Sequence, residues 1–288
     1  MTTTAPTAPA PLRMRGNRSH RQWGVKSALS VLVFVSMFPF LFVLGTSVKD
    51  NLQFSESYWV PTLPFHFENY ATAWQQIQPY MIASIVVAAL SIAGIILLSL
   101  VAGFIIARYS FPGRRFFFAL IASLMMVPNI TSLIPLFVMM RDLELLNTYA
   151  VLIIPQIANG VVIGTILMKT FIEGIPQELF DAARVDGAGS SRLFASIMLP
   201  LSLPVIGTVS LITINGVWND FFWPLLTITE DNLRTVSVGL LFFNGQSGTE
   251  YGPMFAGYLL ASLPLLLLFV FLSKYFLAGV QGGLPGSH

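Results

Sequence analysis

The side chains able to do chemistry are sparse in this chain and gather in one stretch, Glu173 to Pro200, where Glu173, Glu178, Asp181, Arg184, Asp186 and Arg192 mix both signs of charge. Catalytic uses of the chain are limited by what is missing. There is no cysteine, which excludes a disulfide framework, a thiolate zinc site and a cysteine nucleophile. The three histidines, His20, His66 and His288, are scattered and form no metal or acid–base cluster. The run Gly164 to Lys169-Thr170 lacks the second glycine and the Gly-to-Lys spacing of a phosphate loop, so it is no nucleotide site. What remains at 173–200 is the chemistry of surface recognition, ion pairs beside an apolar helical face.

A second polar group lies inside an apolar run: Asn215, Trp218, Asn219 and Asp220. Helical spacing puts Asn215, Trp218 and Asn219 on one face. Amides and an aromatic face suit a hydroxyl-rich solute, and they also suit helix–helix contacts or a helix end near Pro224.

These groups sit in a chain that is 55% hydrophobic and 10% charged, with mean hydropathy +0.75. An average soluble chain is about 25% charged, so the class is membrane. A spanning helix needs about 20 mostly apolar residues. Six segments reach that length: 28–46, 80–107, 116–140, 149–168, 201–228 and 254–278. They are continuously apolar, which argues against a barrel. The expected fold is all-α, with six transmembrane helices and a cytoplasmic loop between spans four and five. Residues 1–27 are expected to form a disordered basic cytoplasmic tail, 28–280 the transmembrane domain and 281–288 a short cytoplasmic tail. A cleaved leader is disfavoured because the first apolar run is long and meets Lys49-Asp50 where a small-residue cleavage site would be needed.

Orientation follows the basic residues. With the N-terminus inside, all 15 Lys and Arg fall inside except Lys49, Arg141 and Arg234. Both termini are therefore expected in the cytoplasm of a multi-pass cell-membrane protein. The net charge of +2 gives no case for nucleic acid. The outer loops are then 47–79, 141–148 and 229–253.

The inner loop at 169–200 exceeds the usual helix-to-helix link of about 2–8 residues. Pro176 opens a helix, because its missing N–H would be unpaired there. Gln177, Glu178 and Asp181 place negative charge near the helix start, where the dipole favours it. The spacing predicts a helix to Val185, a stop at Gly187 and a second short helix capped by Ser190 or Ser191. Leu179, Phe180, Ala183, Leu193 and Phe194 give the pair an apolar face. Its acid content argues against lying on an anionic leaflet.

The order Asp181-Ala182-Ala183, Gly187, Ile197 and Leu199-Pro200 closely resembles the EAA loop of membrane subunits of ABC-type importers, with Asp181 where the family usually has Glu. Gly216-Val217-Trp218-Asn219-Asp220-Phe221-Phe222-Trp223-Pro224, Phe67-Glu68-Asn69-Tyr70 and Phe111-Pro112-Gly113-Arg114 resemble stretches of the sugar-importer branch. Over residues 28–280 the chain is similar to the second, MalG-like membrane subunit of carbohydrate importers.

The resemblance implies a non-catalytic permease subunit forming half of the path for a di- or oligosaccharide. The loop would be a coupling helix seated on a cytoplasmic ATPase through Glu178, Asp181, Ala182, Ala183, Arg184, Asp186, Gly187, Ile197, Leu199 and Pro200. Asn215, Trp218, Asn219 and Asp220 would lie near the translocation path. This chain would bind no cofactor, ATP and Mg being held by two ATPase subunits. The other implied partners are a MalF-like membrane subunit, an extracytoplasmic sugar-binding protein docking at 47–79 and 229–253, and membrane lipid.

The C-terminal stretch Ala278 to His288 lacks the basic tail of many relatives, so contact of that tail with the ATPases is not implied. An importer for another polar solute stays open at this point. A secondary transporter fits less well. It should carry buried ionisable relays and an internal repeat, and Asp220 is the one acid near a span.

Overall fold

The computed structural model describes residues 18–243 and 250–281, with side chains over 23–241 and 250–271. Among these residues the chain is helical without strands. The elements are α1 (Arg18–Thr46), α2 (Asn51–Glu56), α3 (Glu68–Arg108), α4 (Arg114–Leu124), α5 (Asn129–Asp142), α6 (Tyr149–Glu173), α7 (Gln177–Val185), α8 (Ser190–Leu193), α9 (Leu199–Leu201), α10 (Leu203–Asn219), α11 (Phe222–Thr227), α12 (Val236–Phe243) and α13 (Tyr251–Gln281). A π-helical turn, Phe194–Met198, joins α8 to α9.

Four helices, α1, α3, α6 and α13, are long and apolar enough to cross a membrane, and the number rises to six if two bent pairs each count as one span. The bent pairs mark where the sequence reading and the structure differ. The expected span 116–140 is broken into α4 and α5, which meet at 92°. Pro128 stands at the N-cap of α5 with extended backbone, and a proline also disfavours the helical region for the residue before it. The expected span 201–228 is α10, a break at Asp220 and the short α11. Below α10, the turn at Ser202 bends the chain by 68°. Helix α1 begins at Arg18, so residues 18–27 of the expected tail are helical. The rest of the expected N-terminal tail, and residues 282–288 of the C-terminal one, lie outside the described residues.

The bundle is centred on α3 and α6, which cross at a seam of small residues. A Cβ added to Gly164 would stand 2.9 Å from the Ser99 Cβ, and one added to Gly103 would stand 2.7 Å from the Met168 Cβ. Small residues let backbones approach where lipid offers no hydrophobic gain for association. One core cluster runs from this seam into the loop after α6, joining Ile95, Phe104, Met168, Ile172, Phe180, Leu193 and Met198.

At the opposite end, loops are tied by polar side chains. The Asn69 amide donates to the carbonyls of Ser47 and Lys49 at 3.0 and 2.9 Å. Buried Lys49 donates to the Ser57 carbonyl at 2.6 Å, at the C-terminal end of α2. Asn147 accepts from the backbone N–H groups of Thr229 and Glu230 at 2.6 and 3.1 Å. Ser84 of α3 accepts from Val236 N–H at 2.8 Å and so satisfies the start of α12.

Candidate functional site

Helix α7 closes one end of the bundle, and its two faces differ. The inner face carries Phe180, 1% exposed, beside Phe104 with ring centroids 6.5 Å apart. The Arg108 guanidinium carbon lies 4.2 Å over the Phe180 ring. Arg108 also donates to the Gln177 side-chain oxygen at 2.8 Å and to the carbonyls of Ile172 and Ile175. Terminal helix carbonyls lack intrahelical partners, so one side chain from the end of α3 completes the end of α6 and holds the start of α7. The base of the loop is pinned beside it. Glu173 accepts from Arg114 at 3.0 Å and from Lys169 at 2.8 Å, and the Lys169 ammonium sits 4.2 Å over the Phe118 ring.

The outer face is bare. Glu178, Leu179, Asp181, Ala182, Asp186 and Val185 are exposed, Val185 at 87%. Among the described residues the Asp181 carboxylate hydrogen-bonds within the helix, to Arg184 at 2.9 Å and the Gln177 amide at 3.0 Å. Exposed pairs of this kind contribute about 0–1 kcal/mol, which leaves them free to exchange partners. The helix stops at Gly187, whose φ of +79° suits glycine and around which an added Cβ would meet nothing within 4 Å. The predicted end of the helix is thus where the chain turns. The second short helix starts at Ser190, but Gly189 holds the cap position and no serine side chain bonds there.

The second site lies within the bundle. A cleft of about 430 Å³ is lined by Asn129, Gln156, Asn159, Asn215, Asn219 and Asp220, with apolar walls from Ile130, Leu133 and Trp223. It shares Asn129 and Asn159 with a neighbouring cleft of about 560 Å³. Asp220 is oriented from several sides. One carboxylate oxygen accepts from Gln156 at 2.8 Å, the other from Trp223 N–H at 3.4 Å, and the Asp220 carbonyl accepts from Ser237 at 2.5 Å. The break between α10 and α11 is therefore a built feature facing the cleft. Among the described residues no cluster of His, Cys, Asp or Glu is suited to hold a metal.

Residues 99–281, which include both the loop and the cleft, match the family described as "Binding-protein-dependent transport system inner membrane component". The chain belongs to this family. It is 30% identical to the melibiose/raffinose/stachyose import permease protein MelC of Bacillus subtilis (strain 168), over 94% of this chain and 99% of that protein. It is also 30% identical to the arabinooligosaccharides transport system permease protein AraQ of Halalkalibacterium halodurans, over 92% of this chain and 96% of that one. A solved bacterial ABC transporter for import of the acidic polysaccharide alginate shares its fold, with a TM-score of 0.74 at 19% identity, over 91% of this chain and 99% of that chain.

Within this family framework the expected site residues separate. On the loop, Glu178, Asp181, Ala182, Arg184, Asp186, Gly187, Leu199 and Pro200 are exposed, while Ala183 and Ile197 turn partly inward onto the core. In the cleft, Asn215, Asn219 and Asp220 come together, and Trp218 leaves them. It is 8% exposed and donates to the Ala261 carbonyl of α13 at 3.1 Å. The arc from Asn215 to Trp218 spans the boundary between the cleft face and the α13 contact, so shared helical spacing did not mean a shared environment.

Asn129, Gln156 and Asn159 were not among the expected site residues. Their signal is the presence of amides within or beside apolar runs, where polar groups are costly and by default functional.

Proposed function

We propose that this chain is the membrane subunit of an ATP-driven carbohydrate importer. It forms half of the path for a di- or oligosaccharide and couples to a cytoplasmic ATPase through the 173–200 loop. The observation that carries the reading is the division of α7 into a clamped inner face and a bare outer one. A force applied to the exposed residues passes through Phe180 and Arg108 to the ends of α3 and α6. Those two helices share the central seam, and α6 also supplies Gln156 and Asn159 to the cleft. Docking and the path are thus joined by rigid helix. The names and lengths of the relatives support the carbohydrate class.

The mechanism is alternating access. ATP brings together two partner ATPase subunits, which hold ATP and Mg, and α7 moves with them. The cleft then opens to sugar delivered by an extracytoplasmic binding protein, with a MalF-like subunit forming the other half. ATP shifts the population toward one state through its differential affinity for the two. Both termini and α7 lie in the cytoplasm on this reading, with loops 47–79 and 229–253 facing the binding protein.

Gly187→Trp places a large side chain on the bare surface beside α7. Loss of ATPase co-purification and of ATP-dependent oligosaccharide uptake is the expected result. Uptake that persists without any ATPase would overturn the proposal.

A further inference from the structure

The cleft has an electrostatic character that the carbohydrate reading alone does not require. Its polar lining is five amides, Asn129, Gln156, Asn159, Asn215 and Asn219, and one carboxylate, Asp220. Among the described residues no lysine, arginine or histidine lines it or the neighbouring cleft that shares Asn129 and Asn159. Amides offer both donors and acceptors, which matches hydroxyl groups. They do not neutralise an anion in a confined site, and a buried charge without a partner is strongly disfavoured.

The carboxylate is held in place. Gln156 at 2.8 Å and Trp223 N–H at 3.4 Å each bond one of its oxygens, and Ser237 bonds its carbonyl. Asn129 and Asn159 are exposed and make no side-chain hydrogen bond of their own among the described residues, so their amides are available to a solute.

We propose that this cleft selects the charge of the cargo: uncharged oligosaccharides are accepted through the amide lining, and uronic-acid saccharides are refused by Asp220 in the absence of a cation. The proposal rests on the carbohydrate-import reading and goes further than it. A neutral sugar ring presents hydroxyls to Asn159, Asn215 and Asn219 and donates to any free lone pair of Asp220. A uronate brings its carboxylate to the same place and meets like charge, a repulsive element of the kind that creates specificity.

The test uses the complete importer, this chain with its membrane partner and ATPases, in lipid nanodiscs. The probes are a diazirine-bearing galactose trisaccharide and its counterpart with the primary alcohols oxidised to carboxylates. After illumination, labelled peptides are mapped by mass spectrometry. The neutral probe is expected to label peptides spanning 129–159 and 215–223 about tenfold more than the uronate. Asp220→Asn should narrow that ratio. Asn159→Lys, at a position with no side-chain hydrogen bond among the described residues, should raise uronate labelling, with the yield of assembled importer checking that the variant folds. Equal labelling by both probes, a preference for the uronate, or no labelling of these peptides by either probe overturns the proposal. ATP-driven uptake of the neutral trisaccharide, measured on the same preparation in liposomes with its binding protein, tests the import reading separately. Uptake without charge discrimination at the cleft sinks only the selectivity claim.

Discussion

The Arg108 guanidinium lies 4.2 Å over the Phe180 ring, joining the last residue of α3 to the buried face of α7. The same guanidinium bonds Gln177, the carbonyl of Ile172 in the last turn of α6 and that of Ile175 just beyond it. Its planar fork serves several acceptors at once while its face stacks on a ring, a combination an ammonium cannot reproduce.

Arg108→Lys should therefore unseat α7 while leaving its outer face intact. An ammonium can still sit over the ring, but losing the fork's simultaneous bonds to Gln177, Ile172 and Ile175 costs about 1.5–3 kcal/mol. Hydrogen–deuterium exchange at 177–187 is expected to rise. ATPase should still co-purify, but less sugar should be transported per ATP hydrolysed. An unchanged transport ratio with unchanged exchange would show that Arg108 does not hold the helix.

Gly187 separates backbone geometry from surface contact. Its φ of +79° costs an alanine about 1–2 kcal/mol, whereas asparagine visits that region more readily. Because an added Cβ meets nothing within 4 Å, no clash adds to the strain. Gly187→Asn should thus retain more ATPase binding than Gly187→Val, read out by co-purification yield. Equal loss in both would place the effect on the docking surface and not in the turn.

These two positions also mark what the sequence made legible. The α7 helix was readable because its signals are local: Pro176 before it, acids in its first turns and Gly187 after it. The break between α4 and α5 was hidden inside a continuous apolar run, where hydropathy outvotes the single Pro128. The cleft was half legible. Asn215, Asn219 and Asp220 stood out within one span, but Gln156 and Asn159 join them only through the packing of α6 against α10. Arg108 counted in the sequence as an orientation signal, since nothing local announces that its fork reaches Ile172, Ile175 and Gln177.

Lys49 predicts a pH dependence. It is buried at the opposite end from α7, bonded to the carbonyls of Ser57 and Tyr58 at 2.6 and 3.4 Å. Burial lowers its pKa from the ordinary 10.5. The folded chain then releases this proton at lower pH than the unfolded chain does. Stability rises with pH across the window between the depressed value and 10.5, where the unfolded state binds more protons. Below that window both states are charged and the burial penalty is present in full. Thermal unfolding from pH 8 upward should show the native protein gaining on Lys49→Met as pH increases. Parallel curves would mean that the Lys49 ammonium is solvated.

Trp218 and Asn215 sit one helical turn apart on α10 and should respond oppositely to substitution. Trp218 is buried against α13, and its indole N–H is satisfied by the Ala261 carbonyl at 3.1 Å. Trp218→Phe removes that bond and some packing, about 1 kcal/mol or more, so thermal stability should fall. The sugar concentration giving half-maximal uptake should stay put, because the ring never reaches the cleft. Asn215 is exposed at the cleft wall. Asn215→Ala should leave the melting point in place and raise the sugar concentration needed for half-maximal uptake. If Trp218→Phe altered sugar preference while Asn215→Ala did not, the face of α10 turned toward the path would be the one now packed on α13. The cleft between α5, α6 and α10 would then lie outside the route.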